Sequence, residues 1–309
     1  MQFPKRLFLS LAEWCYPSQQ CHEPGCKEPR KWMEAYSDCG GENQSPINIV
    51  TNKVEIDWNL KPLEFLAYQD KQKTNWTISN TGHSVKVTLD GSAKIKSGGL
   101  PDQYKAVQFH FHWGRVANSI LGIEPGSEHT VDGERYPMEL HIVHIKEQYA
   151  NTSEAASKGG IAVLGFFIEI GDEENKNYNS IISKLKEVSS PENAEVVAPS
   201  PLLSLIPPTE YLDKYYRYHG SLTTPSCSEN VIWTLFEQSI KLSLEQVRQF
   251  PLNLHFKKNS SLLMEDNFRP VQPLGKRTVY KSDAMALVSP AKTLLLLPAA
   301  TYLLLSFTQ

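Results

Sequence analysis

The sequence predicts a mostly β fold with short helices at its edge, and three stretches carry that prediction. Ala106–Trp113 alternates along A-V-Q-F-H-F-H-W, Met138–Ile145 reads M-E-L-H-I-V-H-I, and Ile161–Ile170 is a continuous apolar run suited to a buried central strand. A chain of 309 residues, 40% of them hydrophobic, is ample for a sizeable core. The formal net charge of −3 gives no electrostatic reason to expect nucleic acid, and no basic stripe, phosphate loop or internal repeat is present.

The ends differ from the middle. Lys5-Arg6 precede the short apolar run Leu7–Ala12, so residues 1–12 read as a truncated signal segment. Thr293–Phe307 is almost wholly apolar, short for a membrane span, and followed by nothing basic. Upstream lie three small residues, Ser282, Asp283 and Ala284. That layout predicts a glycosylphosphatidylinositol (GPI) attachment signal over 282–309, joined at Ser282, with the tail removed on maturation. A buried C-terminal helix or a transmembrane anchor would be the competing readings. Cys15, Cys21, Cys26 and Cys39 cluster in a Pro-rich arm, and Cys227 is the fifth cysteine. With sequons at Asn43, Asn75, Asn151 and Asn259, they favour a secreted, glycosylated surface protein. The Asn43 sequon is the weakest, since Pro46 follows it.

Residues 13–281 read as one domain that begins with this arm. Thr74–Ser79 and Ser84–Leu89 are strands around an Asn80-Thr81-Gly82-His83 turn. Gly126–Val131 is a short strand. Helices are few: Tyr178–Val188 has helical spacing, and Ser243-x-x-Gln246 is a capping box for a helix stopping before Pro251. The Pro-rich stretch 199–208 wraps the surface.

Parity organises the chemistry. On a strand, residues two apart share a face, so Gln108, His110 and His112 face one way and Val107, Phe109, Phe111 and Trp113 the other. In the second strand Glu139, His141, Val143 and Ile145 share a face; if that face looks at a metal, His141 is a ligand candidate and His144 is left among apolar neighbours. Two core histidines bonded to backbone would be the bland alternative. Three imidazoles with an open fourth position suit a catalytic zinc site, whereas structural zinc prefers four ligands, usually including Cys. An iron oxygenase needs a carboxylate in its triad, and none follows the His-x-His. Gln108 and Glu139 each lie two residues before a ligand, in phase to hold an imidazole N–H.

Several stretches together resemble the α-class carbonic anhydrases, and most of all their membrane-anchored type IV branch. They are Q-S-P-I-N-I (Gln44–Ile49), N-T-G-H-S-V (Asn80–Val85), Q-F-H-F-H-W-G, G-S-E-H-T-V-D-G (Gly126–Gly133), M-E-L-H-I-V-H, I-A-V-L-G-F, G-S-L-T-T-P (Gly220–Pro225) and D-N-F-R-P-V-Q-P-L (Asp266–Leu274). They span residues 32–281 in the family's order. W-C-Y (Trp14–Tyr16), Cys26 and the C-terminal tail carry the type IV likeness.

The resemblance implies a large twisted, mainly antiparallel sheet with zinc at the base of a cleft. It implies a zinc lyase at the extracellular membrane surface, in which zinc-bound hydroxide converts CO2 to hydrogencarbonate and a proton. It makes His110, His112 and His141 the Zn2+ ligands. Thr223 would accept a hydrogen bond from the hydroxide and donate to Glu128, which can only accept. Thr224 would contact hydrogencarbonate, and Val143, Val163, Leu222, Val231 and Trp233 would form the apolar wall. His83 would shuttle protons with a pKa near its ordinary value of about 6.5. Asn267 would stand behind a zinc histidine and Tyr16 would order the water chain. The type IV pattern pairs Cys15 with Cys26 and Cys39 with Cys227 and leaves Cys21 over. The second bridge closes a very long loop, worth at most roughly 5 kcal/mol in the chain-entropy model. A monomer anchored by lipid beside ion transporters completes the expectation. The alternatives are a catalytically silent binding or adhesion module, which usually lacks a zinc histidine, and another zinc hydrolase, against which the lack of an H-E-x-x-H motif counts.

Overall fold

The computed structural model describes residues 14–19, 26–71, 74–117 and 122–282. The expected signal segment, Cys21, His22 and the tail after Ser282 lie outside them.

Ten strands form one path: β1 (Glu55–Asp57), β2 (Trp76–Asn80), β3 (Val85–Thr88), β4 (Tyr104–Trp113), β5 (Met138–Lys146), β6 (Ile161–Gly171), β7 (Ala194–Val197), β8 (Tyr215–Gly220), β9 (Val231–Ser243) and β10 (Tyr280–Ser282). Their order across the sheet is β7-β2-β3-β4-β5-β6-β9-β8-β10-β1, with Leu63–Leu66 and Lys94–Ser97 paired beside β4. The pairings are antiparallel except β6 with β9 and β10 with β1. The large, mainly antiparallel sheet is therefore as expected.

Alternation along the central strands separates two apolar clusters, one on each face. Phe109, Phe111, Trp113, Leu140 and Ile142 belong to the larger, with Tyr178 and Phe250 packed beneath. Each such buried side chain contributes roughly 1.5–3 kcal/mol. Val143, Val163, Val231, Trp233 and Leu235 form the smaller cluster on the opposite face. Val107 departs from its expected place and packs with this second group. The cause is a bulge: the pairing of β5 with β4 jumps from Val143↔Gln108 to His144↔Ala106, so the extra residue breaks the alternation.

Other elements differ in extent. The expected helix over 178–188 shortens to a 3-10 turn at Lys176–Tyr178 and α2 (Asn179–Ile182). Beyond it Lys184, Leu185 and Glu187 each donate their N–H three residues back, so the segment tightens out of the α form. Ile181, Leu185 and Val188 are nonetheless buried, as their spacing requires. The short strand in 126–131 is confined to Thr130–Val131. Helix α1 (Thr152–Ser157), which the sequence did not announce, is capped by Asn151, whose side chain accepts from Glu154 N–H. Helix α3 (Leu244–Asn253) has the expected capping box between Ser243 and Gln246, and continues through Pro251 for a last turn.

The arm is built from 3-10 turns and held by two disulfides, Cys15–Cys26 and Cys39–Cys227. Among the described residues no helix is long and apolar enough to cross a membrane.

Candidate active site

Three imidazoles converge where β4 and β5 run side by side. His141 stands opposite His110 in the register, and His112 lies one step along the same face. Ring centroids are 5.1 Å apart for His110–His112, 5.2 Å for His110–His141 and 4.7 Å for His112–His141. One ligand atom from each lies within 4.8 Å of the others.

The partners of each ring decide which nitrogen is free. His110 Nδ1–H donates to Gln108 Oε1 at 2.9 Å, which leaves Nε2. His112 Nδ1–H donates to the Asn267 carbonyl at 2.8 Å, and its buried Nε2 has no hydrogen-bond partner. His141 Nε2–H donates to Glu139 Oε1 at 2.6 Å, which leaves Nδ1. Gln108 and Glu139 thus do what their phase predicts, and Asn267 acts through its backbone oxygen. Asn267 also accepts from Trp113 N–H and donates to the His83 carbonyl, tying the turn to β4.

Burial holds His110 well below the usual imidazole range, and the neighbouring His112 and His141 lower it further. Burial also lowers His112. Three ring nitrogens turned inward by these bonds, one of them orphaned and buried, are a donor set that fits a divalent cation. His144 takes no part. It is buried on the other face, 2.5 Å from the Tyr68 hydroxyl, with Nδ1–H donating to the Ile142 carbonyl at 3.0 Å.

Behind the ligands lies a network that the sequence did not reveal. Glu139 Oε1 also accepts from His129 Nδ1–H at 2.7 Å, and Oε2 accepts from His129 N–H at 2.8 Å. His129 Nε2 then accepts from the Tyr218 hydroxyl at 2.7 Å, which accepts from Ser45 Oγ–H at 2.8 Å. Burial alone would raise the Glu139 carboxyl, but the two imidazoles hold it well below the ordinary range. The four partners come from residues 45, 129, 139 and 218, so no local spacing marks them.

Glu128 is fully buried beside the ligands. Its Oε1 accepts from Arg269 N–H at 2.8 Å, while Oε2 sits 3.3 Å from His112 Nε2 without a hydrogen-bond partner. The expected bond from Thr223 to Glu128 is absent here. Thr223 itself is 5% exposed. The Arg269 guanidinium donates to Gln44 Oε1, the Ser45 carbonyl and the Cys39 carbonyl, linking Glu128 to the bridged loop. Arg269 sits in the quoted D-N-F-R-P stretch, but nothing there signalled this role. Glu128 also depends on a close backbone approach. A Cβ at Gly126 would lie 1.8 Å from Gly114 N, so the loop can lie on the end of β4 only with glycine there.

The five expected wall residues come together. Val143, Val163, Val231 and Trp233 belong to one cluster, with Leu222 packed against it. Thr224 is half-buried, and its carbonyl accepts from Cys227 N–H at 2.8 Å, so the second disulfide braces this loop. His83 stacks on Trp14 with centroids 3.6 Å apart, and Tyr16 meets its edge at 6.2 Å. Burial pushes the His83 imidazole down to about 4, which corrects the expectation of an ordinary value.

The family model of eukaryotic-type carbonic anhydrase matches residues 27–283. The chain belongs to this family. It is 42% identical over 298 residues to carbonic anhydrase 4 of Mus musculus, covering 96% of this chain and 93% of that one. Carbonic anhydrase 4 of Oryctolagus cuniculus is 41% identical over 278 residues, 90% of this chain and 86% of the relative. Carbonic anhydrase 15 of Mus musculus is 38% identical over 299 residues, 92% and 88%. Carbonic anhydrases use zinc, and His110, His112 and His141 are a group that could hold it. The chain is accordingly an enzyme of the carbonate dehydratase class, acting on CO2.

Proposed function

We propose that the chain hydrates CO2 reversibly in the pocket walled by Val143, Val163, Leu222, Val231 and Trp233, with zinc on His110, His112 and His141. The convergence of three imidazoles, each held by a partner on its other ring nitrogen, carries this reading. Zinc held there supplies the Lewis acidity that ionises water near neutral pH, a property for which carbonic anhydrases are themselves the reference case.

The chain's own groups do the rest. Gln108, Glu139 and the Asn267 carbonyl hold the rings so that their lone pairs point inward. The apolar wall offers a nonpolar linear substrate a dry seat and little competition from water. Glu128 Oε2 has no hydrogen-bond partner in this structure, so Thr223, the proposed donor, would have to come within reach of it. A carboxylate can only accept, so it would turn the Thr223 hydroxyl and leave its oxygen to accept from the nucleophile. Thr224 is the proposed contact for hydrogencarbonate.

His83 is the proposed proton acceptor at the cleft mouth, with Tyr16 ordering water between. Its stacked position favours the neutral ring, so uptake of a proton requires the imidazole to leave Trp14 and enter water. His83→Ala should lower kcat and spare kcat/KM, with recovery in imidazole buffer. An unchanged kcat would remove this role.

The proposed setting is the outer face of the plasma membrane, as a monomer beside ion transporters, with a lipid anchor joined at Ser282. The Ser282 hydroxyl is buried, accepting from Tyr215 N–H and donating to the Asp213 carbonyl. A GPI anchor joins through the main-chain carboxyl, so this burial does not oppose it. The two disulfides support passage through an oxidising compartment. Phosphatidylinositol-specific phospholipase C should release the protein from cells, and retention would contradict the anchor. The silent binding module is disfavoured by the presence of all three ligands.

A further inference from the structure

We propose that Asn151 carries an N-linked glycan that shields one side of the active-site cleft. The inference rests on the secretory setting proposed above.

Two grooves meet at the start of α1. One is lined by Asn151 and Thr152 together with Lys86 and Gln108, and Gln108 holds the ligand His110. The other is lined by Thr152, Ser153 and Ala156 together with Leu222 of the substrate wall. Thr152 lines both grooves, so its neighbour Asn151 stands beside their junction, and its side chain is exposed.

The chemistry of Asn151 suits the modification. Its Oδ1 accepts from Glu154 N–H at 2.9 Å and caps α1, which leaves Nδ2 outward. A sugar on Nδ2 keeps that acceptor and so keeps the cap. Asn43 contrasts with it. Its Nδ2 donates to Glu229 Oε2 at 3.3 Å and its N–H to Oε1 at 2.7 Å, while the sequon hydroxyl of Ser45 is buried against Tyr218. A glycan there would displace packed partners.

The transfer uses a lipid-linked oligosaccharide diphosphate as donor. The Asn151 Nδ2 bonds to the anomeric carbon, the carbon–oxygen bond to phosphate breaks, one amide proton is lost, and the lipid diphosphate leaves. Nothing is oxidised or reduced. A branched carbohydrate at this rim then hinders large ligands and leaves CO2 unaffected.

The test uses the full chain expressed in animal cells, with Ser153→Ala, which removes the sequon yet keeps the Asn151 cap, and Ser153→Thr, which keeps the sequon. Peptide mass spectrometry after enzymatic deglycosylation should show Asn151 converted to Asp in the parent and in Ser153→Thr, and unconverted in Ser153→Ala. A zinc-binding hydroxamate tethered to a bulky polymer should associate about three-fold faster with Ser153→Ala. The free hydroxamate should bind all three alike. A bare Asn151 beside glycosylated Asn75 or Asn259 would overturn the inference and leave the secretory setting standing. A chain with no glycan at any sequon would also overturn the inference, while the secretory setting stands or falls on the phospholipase release. A glycan at Asn151 with equal rates for the tethered probe would overturn the shielding.

Discussion

Glu139 Oε1 lies 2.6 Å from His141 Nε2, and the same oxygen lies 2.7 Å from His129 Nδ1. One carboxylate oxygen therefore takes two imidazole protons, and it fixes the ring that presents Nδ1 to the metal. Glu139→Ala should weaken zinc affinity by about 10–100-fold, because His141 loses both its tautomer and its orientation. Competition against a chelator measures this, and affinity equal to the parent would show that Glu139 is not needed for positioning.

His83 and Trp14 make a titration prediction. Burial pushes His83 down to about 4, and the Trp14 indole stacks on the ring. Trp14→Ala opens the ring to water, which favours the charged form, so the pKa should rise towards the ordinary value of about 6.5. Imidazole C–H chemical shifts followed against pH report it. A pKa that stays low would mean that Trp14 is not the source of the burial.

His144 links stability to pH. Burial pushes its folded value down to about 3, below the unfolded value. Its contribution is therefore fully present above about pH 6.5 and is lost as pH falls towards 3, because the unfolded chain binds a proton that the folded chain refuses. One such proton changes stability by up to about 1.4 kcal/mol per pH unit. Denaturant melts at pH 7, 6 and 5 should show a flatter slope for His144→Gln than for the parent. Parallel slopes would contradict the assignment.

Gly126 tests the seating of Glu128. A Cβ there would meet Gly114 N at 1.8 Å, and backbone cannot step aside as a flexible side chain can. Gly126→Ala should cost about 1–3 kcal/mol or more and lower activity together with stability. A variant as stable as the parent would show that the approach is not required.

Much of the site was legible because strand parity is a local rule. Gln108, His110, His112, Glu139 and His141 were placed by counting in twos, and His144 was set apart by the same count. Val107 was misplaced because a bulge inserts one residue into that count, and a bulge depends on the partner strand rather than on the sequence beside it. The helix expected over 178–188 had the right buried residues but the wrong extent, since spacing reports which side faces the core and not whether the turns stay α. The roles of His129, Tyr218, Ser45 and Arg269 stayed hidden because their partners lie far away in the chain. The lowered pKa of His83 was equally unreadable, since burial causes it and Trp14 of the arm stacks on the ring from far away in the chain.

The most direct test of the central claim is stopped-flow CO2 hydration with zinc content measured on the same samples. The parent should bind one zinc per chain and hydrate CO2 at a rate that a chelator abolishes and added zinc restores, while His141→Ala should lose both metal and rate. A rate indifferent to the chelator, or zinc held equally well without His141, would contradict it.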